Sequence, residues 1–182
     1  MGCNCGGKKN NAGQPALFSI EQLLNPTEWG PILWKYLHCL AEKLGATNNK
    51  IIDTDQAQYT ETLITMLPLI LPCQECQAHC AAYIAANPLP VLRGLYGSAL
   101  QTTVRTWLFQ FHNYVRVTKD TQIIVATVED CATLYTGCVL PRCEYTSFIQ
   151  SVAAGVRKGW VKMPDWKKWY SNSERLRILA GL

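Results

Sequence analysis

The chain has 182 residues, 48% of them hydrophobic and 16% charged, a balance that excludes an intrinsically disordered polymer and suits one domain with a real core. Its net charge of +4, from 17 basic and 13 acidic residues, is too mild to point to nucleic acid. The longest apolar run, Leu63 to Pro72, is far shorter than the roughly 20 residues of a membrane helix and is interrupted by Pro68, so no membrane span is expected.

The first 16 residues, rich in Gly, Asn and Lys, read as a flexible tail carrying Cys3 and Cys5. No apolar stretch follows a basic start, so no secretory signal is expected. Gly2 opens a partial myristoylation pattern, but the Ser or Thr needed at position 6 is Gly6. Asn25 is placed to cap a helix with Pro26 in its first turn, on which Trp34, His38 and Ala41 recur at helical spacing. Gly45 and Thr47-Asn48-Asn49 end it. Asp53 or Thr54 is expected to start a second helix, broken by Pro68 and Pro72. A third should begin at Pro72 and close at Asn87-Pro88. Ser98 is expected to cap a long fourth helix, Ala99 to about Thr118, whose Val104, Trp107, Leu108, Phe111 and Val115 keep a 3.6-residue rhythm. Residues 122–128 read as a short strand or a linker, and Thr127-x-x-Asp130 as a helix cap. Glu144–Lys158 and Pro164–Asn172 are further expected helices. The fold class is all-α.

Nine cysteines without a secretory signal suggest metal binding or redox chemistry rather than structural staples. The informative segment is Pro72-Cys73-Gln74-Glu75-Cys76, with His79 and Cys80 beyond it. At a helix start, the dipole and unpaired N–H groups stabilise a thiolate, and the two-residue spacing lets both sulfurs close a small disulfide ring. Zinc competes: Cys73, Cys76, Cys80 and His79 have ligand chemistry. Cys131, Cys138 or Cys143 would have to complete the site, but the second half lacks a matching Cys-x-x-Cys, Cys138 and Cys143 having four residues between them, so this reading is weaker. An ordinary cysteine-rich core is the third reading, and spacing alone leaves all three open. His38 and His112 each sit in aromatic surroundings, Trp34 before the first and Trp107 with Phe111 before the second. Such helices suit a flat heteroaromatic ligand.

Three segments in order carry a resemblance: Trp34-Lys35-Tyr36-Leu37-His38, Pro72-Cys73-Gln74-Glu75-Cys76 and His112-Asn113-Tyr114-Val115-Arg116. Over residues 27–120 they resemble the Erv/ALR flavin-dependent sulfhydryl oxidases, and look most like the short versions of large DNA viruses. The resemblance implies a four-helix bundle over 17–120 that holds FAD, followed by a mainly helical extension over 121–182. It implies a homodimer that oxidises protein dithiols and passes electrons to oxygen, giving hydrogen peroxide. By this pattern Cys73 is the outer sulfur, attacked by the incoming thiolate, and Cys76 the inner one beside the flavin. Gly30, Trp34, His38, Trp107, His112, Asn113, Val115, Arg116 and Lys119 would hold the cofactor, Cys3 and Cys5 would shuttle electrons to the inner pair, and no metal is required.

The departures gather at the phosphate end. Arg116 stands where the family has Asn. Thr118 occupies the place of a family Lys, with Lys119 one position late, and Pro31 replaces an Arg. Among the other cysteines, Cys138 and Cys143 are read as a local structural disulfide or a second redox pair and Cys80 with Cys131 as a staple, although four cysteines allow three pairings and the sequence does not choose; Cys39 is expected as a buried free thiol. The expected compartment is the cytoplasm, or a virion if the chain is viral, and the mitochondrial intermembrane space is also permitted. The rival function is a zinc-stabilised helical interaction module.

Overall fold

In the computed structural model, the described residues are 18–119 and 125–182. Cys3, Cys5 and residues 122–124 of the expected strand or linker at 122–128 lie outside them. All regular elements among the described residues are helices: α1 (Ile20–Leu24), α2 (Pro26–Lys43), α3 (Lys50–Thr65), α4 (Leu67–Ile70), α5 (Gln74–Ala86), α6 (Gly97–Thr118), α7 (Val128–Tyr135), α8 (Arg142–Arg157) and α9 (Met163–Leu179).

Side-chain caps set several of these starts. Asn25 accepts from the N–H of Thr27 at the head of α2, and Thr127 from that of Asp130 at the head of α7. Two expected starts move. Asn49, read as part of a helix end, instead caps α3 by accepting from Ile51 and Ile52, so α3 begins at Lys50. Asp53 is then a buried strut, 2% exposed: its carboxylate accepts from Thr47 and from the N–H of Gly97 at 2.8 Å. Likewise α6 starts at Gly97, ahead of the expected Ser98 cap.

Gly45 explains the close approach there. Its φ is +68°, and a Cβ at this position would collide with the backbone of Gly97. The adjoining polar groups are satisfied by Gln56, fully buried, which accepts from the N–H of Gly45 at 2.8 Å and donates to the carbonyl of Leu179 at 3.0 Å.

Helix α2 lies against α6 and α8, α3 against α9 and α6, and α4 against α5 and α9. The last helices therefore enter the main core rather than forming a separate lobe. Phe148 and Trp169 are fully buried in one cluster with Tyr36, Leu63 and Leu67. The Trp169 indole N–H donates to the carbonyl of Leu63 at 3.1 Å, and the hydroxyls of Tyr36 and Tyr145 both meet Ser173 at 2.8 Å. Arg105 clamps Glu42 with two bonds of 2.7 and 2.6 Å, joining α6 to α2.

Candidate active site

Cys73 and Cys76 form a disulfide, Cα atoms 5.2 Å apart. Pro72 stands outside the helix rather than in its first turn. Cys73 itself is the N-cap of α5, and its sulfur accepts from the N–H of Cys76 at 3.1 Å. This places the Cys73 sulfur at the positive end of a 13-residue helix, where a thiolate at this position is favoured. The loop is held from behind. Gln77 donates to the carbonyls of Leu71, at 2.8 Å, and Trp160, at 2.9 Å, so the α8–α9 connection is tied to the disulfide turn.

Beside the disulfide lies a cavity of about 410 Å³. Cys76 lines it and Cys73 does not. Its walls are largely apolar, with Trp34, Leu37, Leu71 and Phe111 among them, while Arg116, Thr118 and Lys119 lie on the α6 side. Of the sequence-derived cofactor set, Gly30, Trp34, His112, Val115, Arg116 and Lys119 line this space. Trp34 and His112 stack face to face, centroids 4.1 Å apart and planes 6° from parallel.

Three residues of that set fall elsewhere. Trp107 is buried behind the wall, donating its indole N–H to the carbonyl of Asn87 at 3.0 Å and packing on Phe111. His38 and Asn113 line a second, smaller cavity of about 70 Å³ together with His112, Arg116, Cys131 and Tyr135. His38 reaches the main wall through its partner: its Nε2 is 3.1 Å from Nδ1 of His112. Burial holds both imidazoles neutral, His38 down to about 4 and His112, with the charges of His38 and Arg116 adding to burial, down to about 3.

His79 and Tyr135 are among the lining residues that escaped the sequence reading as parts of a cofactor wall. His79, one turn beyond Cys76, was legible from its helical spacing. Tyr135, stacked on His38 with centroids 4.6 Å apart, comes from α7 and had no local signal.

The cysteine pairings also differ. Cys138 bonds not to Cys143 but to Cys39 in the core of α2, so Cys39 is not a free thiol. Cys143 is disulfide-bonded too. Cys80 and Cys131 are free and buried, not stapled together. Burial raises the Cys80 thiol to about 12, so it is no nucleophile near neutral pH even though it lines the main cavity. Among the described residues no group of three or more His, Cys, Asp or Glu could hold a metal ion.

These features define a class: a helical protein that presents a small disulfide at a helix start beside an aromatic cavity with cationic residues at one side. The model of the Erv1/Alr family matches residues 31–132, and the chain belongs to that family. It is 28% identical over 123 residues to the FAD-linked sulfhydryl oxidase of African swine fever virus, covering 66% of this chain and 92% of that protein. It is 32% identical over 92 residues to protein 096R of Invertebrate iridescent virus 3, which is named for an FAD-linked sulfhydryl oxidase, covering 50% of this chain and 56% of that protein. The chain thus spans little more than half the length of 096R. No solved structure matches significantly.

Proposed function

We propose that the chain is an FAD-linked thiol oxidase that makes disulfides in protein dithiols, with Cys73–Cys76 as its working disulfide. The carrying observation is the asymmetry of the pair: only Cys76 reaches the cavity. A substrate thiolate attacks Cys73, forming a mixed disulfide and releasing the Cys76 thiolate on the cavity side. A second substrate thiolate then displaces Cys73, leaving an oxidised substrate and a reduced pair. FAD, when bound, supplies the two-electron acceptor that returns the pair to its disulfide and reduces oxygen to hydrogen peroxide.

The residues present fit such a group. The cavity volume of about 410 Å³ falls in the range of small-molecule sites. Trp34, Phe111 and Val115 offer apolar walls, the His112 ring stacks against Trp34 beside them, and Arg116 with Lys119 bring the charge for a diphosphate. Arg116 and Lys119 thereby replace the family's missing phosphate contacts, and Trp107 supports the wall from behind. His38 and Asn113 complete the cofactor surroundings from the neighbouring cavity.

The bundle of residues 17–120 would correspond to α2, α3, α5 and α6, with 121–182 as an extension folded onto it and 1–16 as a tail. Cys3 and Cys5 on that tail would deliver electrons from substrate to Cys73. A homodimer acting in a cytoplasm or virion completes the proposal. No helix of the described residues is long and apolar enough to cross a membrane. The deciding test is colour and turnover. The purified protein is expected to be yellow, with one flavin per chain, and to consume oxygen with dithiothreitol. A colourless protein carrying stoichiometric zinc would establish the rival reading.

A further inference from the structure

Four side chains from three helices form one line: Arg116 and His112 on α6, His38 on α2 and Cys131 on α7. The Nε–H of Arg116 donates to Nε2 of His112 at 3.3 Å. Nδ1 of His112 and Nε2 of His38 are 3.1 Å apart, and Nδ1 of His38 is 3.6 Å from the sulfur of Cys131.

The direction of every bond follows from the first. A guanidinium Nε–H can only donate, so Nε2 of His112 must accept and carries no proton. The neutral ring then holds its proton on Nδ1 and gives it to Nε2 of His38. His38 in turn must hold its proton on Nδ1, aimed at Cys131. The opposite arrangement would set two N–H groups against each other at Arg116, leaving buried donors unsatisfied.

We propose that Cys131 is a positioning residue for the flavin site: as terminal acceptor of this one-way chain, whose direction Arg116 sets, its sulfur satisfies the Nδ1–H of His38 and so holds the two rings in line behind Arg116. The inference rests on the thiol oxidase reading only for what Arg116 faces. The surroundings suit a neutral terminus. Cys131 is 3% exposed, and burial, with the nearby carboxylate of Glu42 adding to it and Arg105 opposing it, raises its thiol to about 11. The sulfur therefore accepts as a thiol rather than as an anion. Tyr135, one turn along α7, stacks on His38 and holds the ring in the plane that this bond needs. The residue is also independent of the catalytic pair, since Cys131 is a free thiol.

The test uses the full chain, which has only three histidines to assign. Nitrogen-detected NMR of the protein, with and without added FAD, is expected to show the Nδ1–H tautomer at both His38 and His112. Cys131→Ser retains an acceptor oxygen and should keep both tautomers and a flavin Kd within about 2-fold of the parent. Cys131→Ala removes the acceptor, so the His38 Nδ1–H loses its partner: its nitrogen resonance should move and flavin binding should weaken roughly 5- to 10-fold, the scale of one hydrogen bond. If the Ala variant does not fold, the parent tautomers and the Ser variant decide. An Nε2–H tautomer at either ring in the parent overturns the proposal, as does an Ala variant matching Ser in both readouts. A protein that binds no flavin defeats the oxidase reading instead, while the tautomers still judge the chain.

Discussion

Cys39, buried in the middle of α2, is bonded to Cys138, 99 residues later, with Cα atoms 5.4 Å apart. The bond closes the segment that carries α7 back onto the first long helix, next to His38. Crosslinks over such long loops stabilise mainly by restricting the unfolded chain. Cys138→Ser is expected to cost about 2–4 kcal/mol in urea unfolding. It should also weaken flavin binding, because Tyr135 and Cys131 ride on the tethered helix. An unchanged unfolding midpoint would falsify the structural role of this bond.

The redox pair should separate binding from turnover. Cys76→Ala removes the sulfur that reaches the cavity but none of the aromatic wall. Such a variant is expected to remain yellow while losing dithiothreitol-driven oxygen uptake. Turnover at the parental rate, followed with an oxygen electrode, would overturn the assignment of Cys76 as the inner sulfur.

Acid should destabilise the fold through the histidine pair. Both rings have folded pKa values below the unfolded value near 6.5, so between roughly pH 4 and 6.5 the unfolded chain binds protons that the native one refuses. Stability from this source is complete above about pH 6.5 and is lost as pH falls towards the folded values, at up to about 1.4 kcal/mol per pH unit for each ring. Replacing His112 by Gln should flatten this slope in chemical unfolding measured from pH 7 to pH 4.5. An equal slope in both proteins would remove the pair as its cause.

Gly155 tests the buttress behind the disulfide. A Cβ there would meet Pro72 Cβ at 3.0 Å and Val161 Cγ2 at 3.1 Å, both on rigid neighbours. Gly155→Val should cost about 1–3 kcal/mol by overpacking. Through Pro72 it should also slow reduction of Cys73–Cys76 by dithiothreitol, while flavin affinity holds. A stopped-flow trace with parental reduction rate would show that the α8–α9 connection does not position the loop.

Local chemistry was legible where it depends on neighbours in the chain. Asn25-Pro26 marks the start of α2 and Thr127-x-x-Asp130 that of α7, because caps are decided within one turn, whereas the two-residue spacing allows the Cys73–Cys76 ring but equally allows zinc or core cysteines. Even there, Asn49 was misread as a helix end, since a polar residue between two helices serves equally as the stop of one and the cap of the next.

What the sequence by itself determined is the all-helical class and the order of the three motifs, with Cys73–Cys76, Trp34 and His112 at their centres. Helical period encodes the class, and the resemblance to the Erv/ALR family picks out the motifs. Only the tertiary structure decided which cysteine meets which, that Trp107 stands behind the wall rather than in it, and that His38 reaches the cavity through His112. It alone brought Tyr135 and Cys131 from α7 to the same place. The physical reason is distance along the chain: the His38–His112, His38–Cys131 and Cys39–Cys138 contacts join segments separated by 70 residues or more, and even the bond of Trp107 to Asn87 links two different segments 20 residues apart. They depend on how helices dock, and helix docking is set by whole buried faces rather than by any motif.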